Sequence, residues 1–153
     1  MKQFLAFLSC LICIQLFACA NKSSETANSH EDVLNTDSMK LKIIIGKNVF
    51  NATAYENEST TALKKYLPMT INMKELNGNE KYFDLPDNLP ANASNPGTIQ
   101  AGDLMLYGSN TLVLFYKSFS TSYSYTPIGR IDDVIGLATA LGSVNVTGRF
   151  ESE

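Results

Sequence analysis

Residues 102–116 read GDLMLYGSNTLVLFY, and this stretch decides the fold class. Asp103 to Tyr107 and Thr111 to Tyr116 are apolar on both faces, a pattern typical of β-strands that are covered on both sides. Gly108-Ser109-Asn110 between them supplies residues that favour a turn. The stretch therefore predicts two buried strands joined by a short turn.

Shorter strand patterns lie on both sides of this pair. We predict further strands at residues 41–45, 49–54, 70–76, 80–83 and 143–150. Asn77-Gly78 separates two of them and is a strong signal for a two-residue hairpin turn. Residues 85–98 carry three prolines and three asparagines, which predicts a long loop.

A first short helix is predicted between the second and third strands. Asn57 or Ser59 is suited to cap it, and it runs through Thr61 to Leu67. Pro68 ends it, because the residue before a proline disfavours helical geometry.

A second helix is predicted to open at Asp132 or Asp133 and to close at Gly142. The two acidic residues are better explained by helix capping than by a metal site. Seven or eight strands with two short helices in about 110 residues favour a mainly β fold. We expect a closed β-barrel of about eight strands with the helices plugging its ends.

The N-terminus has the layout of a secretory signal. Met1-Lys2-Gln3 precedes an apolar run from Phe4 to Ala18, broken only by Ser9 and Gln15. This run is shorter than the roughly 18–20 apolar residues that a spanning helix needs.

The run ends in Leu16-Phe17-Ala18-Cys19, which resembles a lipobox. That resemblance implies cleavage before Cys19 and lipid on its thiol; the alternative is a plain secretory signal with an incidental cysteine. Cys10 and Cys13 would leave with the signal, so no disulfide framework is expected. We predict a lipoprotein signal peptide at 1–18, a lipidated cysteine with a disordered polar tether at 19–39, and a barrel domain at 40–153.

Charge and composition exclude several functions for the domain. Ten lysines and arginines face eleven aspartates and glutamates after residue 39, without a basic stripe, so we expect no nucleic-acid partner. The only histidine, His30, lies in the predicted tether, which removes histidine-based catalysis and the commonest metal ligand. No glycine-rich phosphate loop is present, and we predict neither a cofactor nor a metal.

Several short motifs together resemble the cyclophilin-like family over roughly residues 41–151. They are Ala62-Leu63, Leu67-Pro68, GNEKY at 78–82, GDLMLY at 102–107 and YSYTPIGRI at 123–131. The resemblance is to small bacterial cyclophilin-like domains and implies the same closed barrel. Catalytic members of the family carry a groove arginine and a glutamine-glycine-glycine run, whereas residues 82–87 read YFDLPD here. We therefore predict no catalytic residue; the resemblance implies that Tyr125 takes the place of a groove histidine.

The second half of the domain is rich in aromatic residues that suit a ligand groove. The candidate ligand-binding residues are Tyr107, Phe119, Tyr123, Tyr125 and Arg130, the arginine serving to orient a polar or anionic ligand. Residues 118–125 alternate hydroxyls with aromatics, which is typical of a binding loop or of an ordinary exposed strand.

Three other polar residues have structural explanations. We interpret Glu80-Lys81 as a surface ion pair. Asp103 is expected to fix a turn through its carboxylate.

Two functions remain open. The first is a non-catalytic module that binds a small molecule or peptide at the bacterial cell envelope, with the membrane as a partner through lipid on Cys19. The alternative is a weak peptidyl-prolyl isomerase acting on exported proteins. Ala20, which follows the cysteine, slightly favours the outer membrane.

Overall fold

The structure is a computed structural model that describes residues 39–153. The predicted signal peptide, Cys19 and nearly all of the predicted tether lie outside the described residues. The strands are β1 (Lys40–Ile45), β2 (Asn48–Ala54), β3 (Met69–Leu76), β4 (Glu80–Asp84), β5 (Thr98–Ile99), β6 (Asp103–Tyr107), β7 (Thr111–Phe115), β8 (Phe119–Ser120), β9 (Thr126–Ile131) and β10 (Val146–Ser152). The helices are α1 (Glu58–Lys64) and α2 (Leu137–Leu141).

Eight of the strands close into an antiparallel barrel in the order β1-β10-β3-β4-β7-β6-β9-β2. β1 closes it by pairing with both β2 and β10. The two remaining strands, β5 and β8, form a separate ribbon. The predicted fold class, a closed mainly β barrel with two short helices, is confirmed. Among residues 39–153, neither helix is long and apolar enough to cross a lipid bilayer.

The barrel interior is the larger of two apolar clusters. Strand alternation sends Leu41, Ile43 and Ile45 of β1 inward, and each is at most 2% exposed. Every second residue of β6 and β7 joins them, including Leu104 and Leu114. Each such side chain contributes about 1.5–3 kcal/mol by leaving water.

The intervening residues of β6 and β7 form a second cluster on the outer face of the barrel. Met105, Val113 and Phe115 are buried there, although they point away from the interior. Ile99 of β5 and Tyr125 cover them. This cover explains why both strands are apolar on each face.

The hairpin between β3 and β4 has the predicted turn. Asn77 and Gly78 both have positive φ, of 56° and 68°. Two left-handed residues in a two-residue loop match the twist of the flanking strands, which is why Asn-Gly is favoured there.

The first helix begins as predicted and ends earlier. Asn57 caps it, its Oδ1 accepting a hydrogen bond of 2.8 Å from the Thr60 N–H. α1 ends at Lys64 and not at Leu67, and irregular turns lead from there to Pro68.

The second helix begins later than predicted, and neither predicted aspartate caps it. The residue before α2 is Gly136, whose φ of 80° is left-handed and breaks the run. Asp133 instead accepts from the Ile135 N–H at 2.9 Å, a local turn that competes with helix. Asp132 accepts from Thr53 Oγ1 at 2.7 Å on the neighbouring strand.

Candidate ligand-binding groove

The wall of a groove is built by residues 118–125, through the alternation seen in the sequence. The four serines of this segment are exposed, whereas Phe119 is half-buried and Tyr125 is 6% exposed. Phe119 and Tyr125 therefore face the outer cluster of the barrel, whereas the four serines and Tyr123 face solvent.

Backbone hydrogen bonds hold this wall against the long loop that precedes β6. Ser94 and Tyr125 exchange two bonds of 3.0 Å, and the Thr121 N–H donates to Gly97 O at 3.0 Å. The Ala101 N–H donates to Ser118 Oγ at 2.9 Å. The wall is thus braced along its length.

Aromatic rings contact one another from the buried base of the wall to its exposed edge. Phe115, fully buried, lies 5.5 Å from Tyr125 and 5.7 Å from Phe119 between ring centroids. Tyr107 lies 5.6 Å from Tyr125 and 6.1 Å from Tyr123. Edge-to-face and tilted pairs in this range add to the stability that burial gives. Tyr107 and Tyr123 remain 46% and 62% exposed and present ring surface to solvent.

The floor is the outer face of β4 and β7, which faces the wall across an open groove of about 400 Å³. Glu80, Tyr82 and Asp84 share this face of β4 because they alternate with Lys81 and Phe83. The hairpin between β3 and β4 forms the rim. The lining residues are Leu76, Asn77, Asn79, Glu80, Tyr82, Asp84, Tyr107, Thr111, Val113, Phe119, Tyr123 and Tyr125.

The two carboxylates in the groove differ in their surroundings. Asp84 accepts from Thr111 Oγ1 at 2.8 Å and lies 3.8 Å from Lys74 Nζ. Within the described part of the chain, the Glu80 carboxylate has neither a hydrogen-bond donor nor a cation in ion-pair range. Burial raises the pKa of Glu80, and the negative charge of Glu75 raises it further.

Comparison with known proteins assigns the chain to a family. Residues 43–151 match the model of the cyclophilin-like family. This chain belongs to the cyclophilin-like family. The predicted resemblance is confirmed over nearly the range expected from the sequence.

One solved structure with a similar fold is the solution structure of a hypothetical protein from Archaeoglobus fulgidus. It is 19% identical, aligns with 74% of this chain and 94% of its own, and has a TM-score of 0.52. At that identity the likeness concerns the fold alone. A search of curated proteins found no match.

In this cyclophilin-like domain, four of the five predicted site residues line one groove. Tyr107, Phe119, Tyr123 and Tyr125 meet there. Arg130 does not, because it lies on β9 with its Nε 3.8 Å from Asp103 Oδ1. The cation predicted to orient a polar or anionic ligand is therefore absent from the groove lining. Asp103 fixes a turn as expected, accepting from the Gln100 N–H at 2.7 Å.

The predicted surface pair Glu80-Lys81 is wrong. Adjacent residues of a strand point to opposite faces, so Glu80 faces the groove while Lys81 enters the barrel mouth and is fully buried. Lys81 Nζ donates to the Glu75 carboxylate, to Gly142 O at 2.9 Å and to Val144 O at 2.7 Å.

Tyr116 completes what we call the mouth network, defined as Glu75, Lys81 and Tyr116. The Tyr116 hydroxyl donates to Glu75 Oε1 at 2.9 Å. Burial would raise the pKa of Glu75, but hydrogen bonds from Lys81, Tyr116 and the Gly78 N–H outweigh it and hold that pKa below its usual value. Burial and the bond to Glu75 raise the pKa of Tyr116 to about 12. The network joins β3, β4, the residue that follows β7 and the segment after α2 behind the groove rim.

Eight of the twelve lining residues were missed by sequence reasoning, among them Asn79, Glu80, Tyr82 and Asp84. The signal for those on β4 was the Asn77-Gly78 turn, since a fixed two-residue turn sets which face every later residue of β4 occupies. Among residues 39–153, no group of three or more His, Cys, Asp or Glu side chains is placed to hold a metal ion.

Proposed function

We propose that this domain is a binding module that takes a small molecule or a short peptide segment in the groove between the aromatic wall and β4. The observation that carries the proposal is the groove itself, whose volume of about 400 Å³ lies within the usual range for ligand sites. Its rings are already packed on a buried base, so a ligand gains aromatic contact with little ordering of the protein.

We propose further that the domain is anchored to a membrane of the bacterial cell envelope by lipid on Cys19, with the outer membrane slightly favoured. The support is the sequence Leu16-Phe17-Ala18-Cys19. More than one acyl chain would make the attachment durable. The barrel begins at Lys40, and a flexible tether of about 20 residues would hold it roughly 25 Å from the surface.

The second candidate function is weak peptidyl-prolyl isomerisation. The open apolar groove on a cyclophilin-like barrel favours it, since rotation about the peptide bond needs no covalent chemistry, only a lower barrier than the uncatalysed 18–20 kcal/mol. Against efficient catalysis, neither Arg130 nor Arg149, the two arginines of the described residues, lines the groove.

The two functions are separated by assaying binding and turnover on the same protein. The full chain is reconstituted in phosphatidylcholine nanodiscs and tested with a proline-containing tetrapeptide, by ligand-observed NMR for binding and by cis–trans exchange rates for catalysis. The matched variants are Tyr123→Ala in the groove and Tyr55→Ala at an exposed tyrosine outside it (62% and 44% exposed).

Binding that Tyr123→Ala weakens and Tyr55→Ala leaves unchanged, with an exchange rate equal to the blank, is the expected result. A rate above the blank that falls in Tyr123→Ala would make the protein an isomerase. If neither this peptide nor a set of small aromatic fragments gives a signal sensitive to Tyr123, the groove is not a binding site.

The anchor is tested by labelling cells with radioactive palmitate. The wild-type chain should take up label and sediment with membranes, and Cys19→Ser should lose both properties. Label that persists in Cys19→Ser would overturn the anchoring proposal without bearing on the groove.

A further inference from the structure

The groove combines aromatic ring faces with negative charge. Two carboxylates, Glu80 and Asp84, lie among five aromatic residues on its floor and wall. No lysine or arginine of the described range is part of the lining. Lys74 stands at the edge, 5.4 Å from the centroid of the Tyr82 ring, and its charge is directed to Asp84.

Of the two groove carboxylates, Glu80 is the one that has no counterpart among the described residues. Its carboxylate accepts no hydrogen bond from the described residues, whereas Asp84 has both a hydroxyl donor and a cation. Partial burial among aromatic rings makes an unpaired carboxylate unfavourable. A cationic group that entered the groove would offset this cost.

A second acceptor in the lining is also unused. Asn79 Oδ1 is buried and has no hydrogen-bond partner in the described part of the protein. Asn79 adjoins Glu80 at the start of β4, on the rim of the groove. Buried polar atoms are usually partnered, so an orphan acceptor in a groove indicates a ligand that brings hydrogen-bond donors.

We propose that the groove selects organic cations, and that an ammonium group carried on an apolar body is held by Glu80 and the faces of the wall tyrosines. This inference rests on the proposed binding function and names the chemical class of its ligand. Of the polar or anionic ligand expected from the sequence, it drops the anionic alternative, since Arg130 lies elsewhere and the carboxylates that line the groove repel anions.

Several attractive interactions favour a cation in this groove. A cation is attracted to the negative face of a tyrosine ring and to a carboxylate that is poorly hydrated. An ammonium also supplies the hydrogen-bond donors that the Glu80 carboxylate lacks among the described residues. A neutral ligand of the same shape would keep the apolar contact alone, and an anion would face Glu80 and Asp84.

The test compares three probes that share a phenyl ring and differ in charge: phenethylammonium, 2-phenylethanol and phenylacetate. The full chain in phosphatidylcholine nanodiscs is titrated with each at about pH 7.5, where the amine is protonated and the acid is ionised. Saturation-transfer NMR gives the dissociation constants, with empty nanodiscs as the blank. Phenethylammonium should bind about tenfold more tightly than phenylethanol, and phenylacetate most weakly.

Two groove variants and one control variant locate the source of the preference. Glu80→Gln keeps the shape of the side chain and should reduce the preference for the cation to near unity. Glu56→Gln, an exposed change of the same charge outside the groove, should leave it unchanged. Tyr123→Leu retains apolar contact without a ring face, so it should weaken phenethylammonium more than phenylethanol.

The remaining outcomes are distinguishable. Equal binding of all three probes, sensitive to Tyr123, would overturn cation selection and leave the binding function in place. Tighter binding of phenylacetate, or a preference for the cation that survives Glu80→Gln, would also overturn it. No probe signal sensitive to the groove variants would count against both proposals.

Discussion

Glu80 and Lys81 are neighbours in the sequence and lie in opposite kinds of surroundings. Lys81 enters the barrel mouth, is fully buried, and donates hydrogen bonds to a carboxylate and two backbone carbonyls. Glu80 faces the groove on the other side of the same strand and has no such partners among the described residues. The protein itself satisfies the charge of Lys81, whereas it leaves the carboxylate of Glu80 able to accept hydrogen bonds from another molecule.

The difference between Lys81 and Glu80 extends to the two regions in which they lie, the mouth network and the groove. The mouth network fixes four segments to one another and satisfies its own charges. The groove keeps an unpaired carboxylate and exposed rings, a combination that costs stability and suits the binding function proposed above. Substitutions in the two regions should therefore affect different measurements.

The largest expected effect is in the mouth network. Lys81→Met keeps an unbranched apolar side chain but leaves Glu75 partly buried without its cation. We expect a loss of about 3 kcal/mol in the free energy of unfolding, because breaking a buried pair strands the remaining charge. Urea unfolding followed by circular dichroism measures it.

Lys74→Met is the matched control. Lys74 also pairs with a carboxylate and also lies 5.4 Å from a tyrosine ring centroid, but the pair is about half exposed. An exposed pair contributes at most about 1 kcal/mol. Equal losses in the two variants would show that burial does not distinguish these lysines.

A smaller loss is expected from Tyr116→Phe, which removes the hydroxyl that donates to Glu75. A hydrogen bond to a charged, partly buried group contributes about 1.5–3 kcal/mol, so the midpoint of urea unfolding should fall clearly. Tyr66→Phe removes a comparable bond of 2.9 Å to Asp87 at the surface. That control should not move the midpoint, and a shift as large as that of Tyr116→Phe would contradict the prediction.

The smallest expected effect is in the pH dependence of stability, which should have opposite signs for Glu75 and Glu80. The lowered pKa of Glu75 means that its ionised form stabilises the fold; this stability is present above the unfolded pKa and is lost as the pH falls through the folded pKa. The raised pKa of Glu80 has the opposite sign, because the folded state binds its proton more tightly. Ionising Glu80 therefore costs stability as the pH rises through the folded pKa.

Unfolding midpoints measured between about pH 4 and pH 7 should show this opposition. Glu80→Gln should gain stability relative to wild type as the pH rises, and Glu75→Gln should lose it. Parallel pH profiles for the two variants would mean that the groove and the mouth network treat a carboxylate alike.

Most of the fold could be predicted because local signals agreed with the tertiary structure. The two-faced strands β6 and β7, the Asn77-Gly78 turn and the Asn57 cap all depend on neighbours in the sequence. The start of α2 could not be predicted in this way. The apolar spacing through Val134 and Ile135 imitates a helix, but Val134 packs over Gly102 and Ile135 is 83% exposed.

The site was predicted in its aromatic half only. The tyrosines can be recognised from the sequence because they cluster there and alternate with serines. The positions of the charged side chains depend on which face of β4 or β9 each residue occupies. They also depend on contacts with loops that are distant in the sequence. Arg130 pairs with Asp103 on the adjacent strand, and Lys81 reaches carbonyls more than 60 residues away.

The closure of the barrel by its first and last strands has a consequence for engineering. β1 and β10 are hydrogen-bonded neighbours, and the Glu153 N–H donates to Lys40 O at 3.0 Å. A short linker could join these ends, and new termini could open at the exposed turn around Gly46. Such a circular permutant would keep all eight strand pairings of the ring while changing the order in which the ribosome makes them.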